Sequence, residues 1–131
     1  MKEDTIVRNA LQTPDGTTLE SHHRHDYQEH TDANGEEYIV DGGLDYIRST
    51  CHKDQVSLVV TYGEGHEKVR NATTWGTYGK SGTEPLQYKR ISDMSTNHLE
   101  AVLANVRNIR PVISQVMRDE LVYRKEHEDI S

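Results

Sequence analysis

Apolar and polar residues alternate with a period of two along the chain up to about residue 92, and the period changes to that of a helix after Ser95. The first run, Thr5 to Leu11, predicts a strand. Pro14-Asp15-Gly16 then predicts a turn, because proline pre-sets φ at the first turn position and glycine accepts the positive φ that follows. Thr17 to His23 is expected to return antiparallel. A second hairpin is expected from Tyr27–Thr31 and Glu36–Val40. Its turn is Asp32-Ala33-Asn34-Gly35, in which Asn-Gly accepts the left-handed conformation at both positions. Gly42-Gly43 predicts a sharp bend before a strand over Leu44–Thr50. Gln55–Tyr62 (QVSLVVTY) is the most β-branched stretch and the expected central strand.

His66–Thr73 fits a short helix or an extended segment equally well, and Gly76–Pro85, with three glycines, reads as a loop before a last strand over Leu86–Ile91. Ser95 suits an N-cap, with Leu99, Val102, Leu103 and Val106 on one helical face. Pro111 suits the first turn of a second helix whose apolar stripe is Ile113, Val116, Met117 and Leu121. The pattern predicts an α+β fold: an antiparallel β-sheet of hairpins in the N-terminal two-thirds, then two C-terminal α-helices. One domain is expected over residues 1–131, mainly sheet to residue 92 and helical from residue 93.

Composition changes this picture in one respect. Only 33% of the 131 residues are hydrophobic, with one Trp and no Phe. A core built from so little is small, so burial between copies in a homo-oligomer is expected. The single cysteine, Cys51, excludes an intrachain disulfide and any CxxC site. No apolar run approaches the roughly 20 residues of a membrane span. The start, MKEDTIVRN, lacks the apolar region of a secretory signal, and a cytoplasmic location is expected.

The net charge of -7 is unevenly placed. Residues 1–66 carry 5 Lys and Arg against 13 Asp and Glu, whereas residues 67–131 carry 10 against 9. An acidic protein with one basic sector is no general nucleic-acid binder, because phosphate neutralisation dominates such affinity. The balance suits a small anion held at a local basic site.

Three stretches carry candidate chemistry. His22-His23-Arg24-His25-Asp26, with His30, gathers four histidines; extended, it places His23 and His25 on one face. These residues suit surface hydrogen bonding, a ligand contact by His25 oriented by Asp26, or a metal, although the spacing supplies no third zinc ligand. No metal and no cofactor are expected. In Asp41–Arg48, a strand would set Leu44, Tyr46 and Arg48 on one face, so a ring that stacks on a base stands beside a guanidinium that grips phosphate. In Thr73–Lys80, Trp75 precedes a glycine-rich loop with Lys80, a phosphate cradle in type but without Walker spacing. Arg107 and Arg110 add cations from the helical end. No nucleophile elbow is present, and Cys51 and His52 would point to opposite faces of a strand, so nucleophilic catalysis has little support; the 22 acidic residues leave a hydrolytic carboxylate pair open but single none out.

TPDGTTLESHHRHDY, DANGEEYIVDGG, LDYIR, TWGTYGKSG and ISDMSTNHLEAVL, covering about Asn9 to Tyr123, resemble a family of small accessory proteins of tailed bacteriophages. That resemblance carries no activity of its own. By size and strand-then-helix outline such proteins are similar to phage sponge proteins, which sequester cyclic oligonucleotide or cyclic ADP-ribose immune signals without chemistry. The resemblance thus implies an anti-defence protein in an infected cell that binds a small nucleotide-derived signal. The contacts would come from Arg24, His25, Tyr46, Arg48, Trp75, Lys80, Arg107 and Arg110. A protein inhibitor that offers its acidic surface to a host defence enzyme is the second expectation, and a nucleotide-acting enzyme the third.

Overall fold

A computed structural model describes residues 1–79 and 81–127. Lys80, one of the candidate phosphate ligands, lies outside the described residues. The described chain is α+β and forms two compact units: Ile6–Thr61, and Met1–Thr5 together with Tyr62–Ser131. The expected change from sheet to helix near residue 92 describes element type, whereas the units divide earlier.

The first unit is all β. Strand β1 (Ile6–Gln12) pairs antiparallel with β2 (Thr18–Ser21) on one side. On the other side it pairs with two short strands, β6 (Val56–Ser57) and β7 (Val60–Thr61). A second sheet has the order β3 (Gln28–Thr31), β4 (Glu37–Asp41), β5 (Arg48–Ser49). Leu11, Leu19, Tyr38 and Val40 form a buried cluster from β1, β2 and β4, so the alternate inward residues of both sheets make the core.

Several sequence expectations are corrected here. β1, and not Gln55–Tyr62, is the central strand. The β-branched run breaks at Leu58–Val59, where the Leu58 amide reaches the Ala10 carbonyl, and the β1–β7 register shifts between Ile6 and Arg8. The Asp32–Gly35 turn is not left-handed at Asn34, since every positive φ among the described residues belongs to glycine. Instead the Asp32 carboxylate accepts the Asn34 and Glu36 amides, and only Gly35 turns left-handed. The strand expected over Leu44–Thr50 is reduced to Arg48–Ser49. Gly42 and Gly43 both adopt positive φ, and the Asp45 and Tyr46 amides turn back to the Gly42 carbonyl, so the chain coils where it was expected to extend.

The second unit holds α1 (His66–Ala72), a hairpin of β8 (Thr74–Thr77) and β9 (Gln87–Arg90), α2 (Thr96–Asn105) and α3 (Pro111–His127). Among the described residues three α-helices are present where two were expected, because α1 takes the ambiguous His66–Thr73 stretch. Ser95 caps α2, accepting the His98 amide. On α3 the buried positions are Val112, Val116, Met117 and Glu120. Val116 and Met117 are buried as expected, whereas Val112 and Glu120 take the buried places expected for Ile113 and Leu121, which are half-buried, so a carboxylate lies in the core.

Candidate functional site

The densest polar construction in the β unit is the corner after β4. Asn9 sits between Val7 and Leu11 on the inward face of β1 and is 1% exposed. Its Nδ2 donates to three backbone carbonyls: Asp41 and Gly43 at 2.9 Å each and Tyr46 at 3.3 Å. Ser21, the cross-strand partner of Asn9, accepts the Gly43 amide at 2.8 Å and donates to the Asp26 carbonyl at 2.6 Å. Asp41 accepts the Gly42 amide. Side chains are excluded at both glycines: a Cβ at Gly42 would fall on Tyr46, and one at Gly43 on the His23 backbone. Buried amide and hydroxyl groups thus hold a tight left-handed corner, and the corner fixes where Tyr46 stands.

Tyr46 is 40% exposed, and the Arg24 guanidinium lies 6.0 Å from its ring centroid. Arg48, two residues on, is 67% exposed along its side chain and stands 4.0 Å from the Asp41 carboxylate. The structure thus brings Arg24, Tyr46 and Arg48 into one unit, though by a different route from the one expected. No strand face carries Tyr46 and Arg48 together. A glycine corner presents the ring instead, and the cation recorded over it is Arg24. His25 is exposed in the same Ser21–Asp26 turn.

The histidine segment is not extended, so His23 and His25 do not share a strand face. The chain leaves β2 at Ser21 and turns, with the Asp26 amide on the His23 carbonyl. Asp26 orients His22 and not His25: it accepts the His22 amide at 2.8 Å and lies 3.5 Å from His22 Nδ1. His30 reaches Asp15 at 2.8 Å. Among the described residues no group of three or more His, Cys, Asp or Glu could hold a metal ion.

The remaining candidates belong to the second unit. Trp75 lies in β8 opposite Lys89, half-buried. Thr74–Thr77 is a strand, so the expected cradle shrinks to the loop beyond it. There the Gly79 amide is taken by Thr77 Oγ1, the Gly82 amide by the Gly79 carbonyl, and the Glu84 carboxylate crowds the α-carbon of Gly79. A carboxylate at that place disfavours phosphate. Arg107 and Arg110 lie in the connection between α2 and α3, Arg107 exposed and Arg110 half-buried.

Two buried polar residues escape the sequence reading. Asn9 carries a signal in hindsight, being a polar residue at an inward position of Val7-Arg8-Asn9-Ala10-Leu11. Glu120 is 0% exposed. Its Oε1 accepts from His66 Nε2 at 2.9 Å and Arg70 Nε at 2.7 Å; its Oε2 accepts from an Arg70 terminal nitrogen and Arg124 Nε, both at 2.7 Å. Arg124 also reaches Thr96 Oγ1 and the Ile91 carbonyl, and the Arg70 guanidinium covers the Tyr123 ring at 4.6 Å. Burial opposes ionisation of Glu120, but hydrogen bonds from Arg70, Arg124 and His66 outweigh it and lower its pKa to about 2. With four donors on its two oxygens the carboxylate has no acceptor position left for a substrate and no proton to give near neutrality. The cluster ties α1, α3 and the turn before α2 together.

No protein-family model, no curated protein and no solved structure matches the chain. Among the described residues no helix is long and apolar enough to cross a membrane.

Proposed function

We propose that the protein is a non-catalytic binder of a small nucleotide-derived anion, held at the glycine corner by Tyr46, Arg24 and Arg48. The observation that carries this reading is the half-exposed Tyr46 ring, fixed by a buried hydrogen-bond clamp with one guanidinium near its face and another two residues on. A planar base stacks on such a ring, and guanidinium groups take phosphate oxygens in pairs. The long Arg48–Asp41 contact is an exposed pair of little energy, so Arg48 is cheaply diverted to a ligand. Sequestration of an immune signal in a phage-infected cell, by a homo-oligomer, extends this reading through the sequence resemblance alone.

Thermal melts with a panel of cyclic di- and trinucleotides and ADP-ribose isomers test the binding. A true ligand at a hundredfold excess over its Kd adds about 2.7 kcal/mol of stability. The gain disappears in Tyr46→Ala and Arg48→Ala. A panel that leaves the melting temperature unchanged sinks the reading, and native mass spectrometry reads the assembly state.

A second reading has its own observation. The Tyr38 hydroxyl is pushed up first by desolvation and then by the carboxylates of Asp32, Glu36, Asp54 and Asp15, which concentrate negative charge around the β3–β4 hairpin. Such a face suits the basic surface of a host enzyme. Pull-down of one host protein, lost on Asp32→Lys with Glu36→Lys, selects this reading.

A further inference from the structure

Asn34 and Gly35 are exposed at the tip of the β3–β4 hairpin, and neither binding reading uses their side chains or backbone. The Asp32 carboxylate accepts the Asn34 and Glu36 amides at 2.9 Å each. Among the described residues no hydrogen bond holds the Asn34 side chain. Gly35 has φ of 80°, and a Cβ built there would meet no atom within 4 Å beyond its chain neighbours. Asparagine is a thermolabile side chain, and a following glycine leaves its carboxamide carbon unscreened from the next backbone nitrogen. One contact restrains that nitrogen: the Gly35 amide donates to the Asp32 carbonyl at 3.0 Å.

We infer that Asn34 is a site of spontaneous modification, converting to aspartate and isoaspartate through a cyclic imide with Gly35. The Gly35 nitrogen bonds to Asn34 Cγ, and its proton passes through water to the departing Nδ2. The Cγ–Nδ2 bond breaks and ammonia leaves. Water then opens the ring at one of its two carbonyl carbons, and the acid formed gives its proton to the ammonia. Opening at Cγ as the leaving side yields aspartate. Opening at the backbone carbonyl yields isoaspartate, with the chain running through the former side chain. Both products add a carboxylate between Asp32 and Glu36. Isoaspartate also lengthens the path between the two amides that Asp32 holds, so the turn loosens.

The structure singles out this pair. The other five asparagines each precede a residue with a Cβ. Asp15 and Asp41 also precede glycine, but a carboxylate forms the imide only when protonated. Asp15 is held ionised by His30 Nε2 at 2.8 Å and the Thr17 amide at 3.1 Å. Asp41 is 7% exposed, and its Oδ1 accepts the Gly42 amide at 2.9 Å, which points that nitrogen's proton at the carboxylate.

The test incubates the full chain in mildly alkaline buffer, folded and in urea, and maps its peptides by mass spectrometry. Conversion at position 34 is expected in the folded chain, with both products present. In urea it is expected to run roughly tenfold faster, the worth of the one hydrogen bond on the Gly35 amide. Gly35→Ala is expected to suppress it, and Asn34→Ser to remove the more acidic species from isoelectric focusing. A folded chain that stays intact at position 34 overturns the site, whether or not the unfolded chain converts. Equal conversion at Asp15, Asp41 or another asparagine overturns the selection of this pair. An unfolded chain that converts no faster overturns the restraint by Asp32, and an unchanged rate in Gly35→Ala overturns the role of glycine.

Discussion

Asn9 and Ser21 face each other across β1 and β2, and between them they hold Gly43 at both its carbonyl and its amide. Two short polar side chains at inward strand positions thereby fix a left-handed corner that neither hairpin could hold alone. The corner sets Tyr46, and through it the ring-and-guanidinium patch on which the functional reading rests.

Gly43→Ala is expected to be severe. Gly43 has φ of 55°, and an added Cβ meets the His23 backbone. Gly35 also has positive φ, at 80°, but open space around it. Gly35→Ala should cost about 1 kcal/mol from backbone strain, whereas Gly43→Ala should cost about 3 kcal/mol or more. Urea denaturation of the two variants measures the difference, and equal losses contradict the clamp.

Glu120 makes acid stability a local property of the helical unit. Its folded pKa of about 2 lies below the ordinary 4.5, so its contribution is fully present above pH 4.5. It is lost as the pH falls from there towards 2, by on the order of 3 kcal/mol. Glu120→Gln should remove that pH dependence. Glu120→Ala, which strands Arg70 and Arg124, should cost about 3–5 kcal/mol at neutrality. Denaturant melts between pH 7 and pH 2.5 give both numbers.

The Tyr62 hydroxyl donates to the Asp119 carboxylate at 2.5 Å. That hydrogen bond, burial and the negative charge push its pKa up to about 12. The stabilisation is therefore intact below pH 10 and is lost as the pH rises from 10 to 12. Tyr62→Phe should cost about 1–2 kcal/mol at neutral pH. It should also delete the latest-titrating phenol from an ultraviolet pH titration; an unchanged titration curve rejects the assignment.

Arg48→Ala separates binding from stability. With its side chain 67% exposed and one long contact to Asp41, its loss should change stability by less than about 0.5 kcal/mol. A nucleotide-derived ligand should nevertheless bind at least tenfold more weakly, as isothermal titration would read.

Local signals determined much of this protein: the turn at Pro14–Gly16, the hairpin of β3 and β4, the Ser95 cap and the helix opening at Pro111 all follow from side chains within a few residues of one another. So does the α+β class, which the change of period announces. What the period could not reveal is which polar residues would lie inside. Asn9 and Glu120 occupy positions that the pattern reserves for apolar groups, and each is tolerated because distant partners meet it: carbonyls of residues 41–46 for one, Arg70 and His66 for the other. Likewise Leu44–Tyr46 reads as strand until the glycine corner is held by β1 and β2. The bend at Gly42-Gly43 was legible in the sequence. Hydrogen bonds between residues far apart in the chain leave no periodic trace, so the clamp that holds that bend and the buried carboxylate were decided by tertiary structure alone.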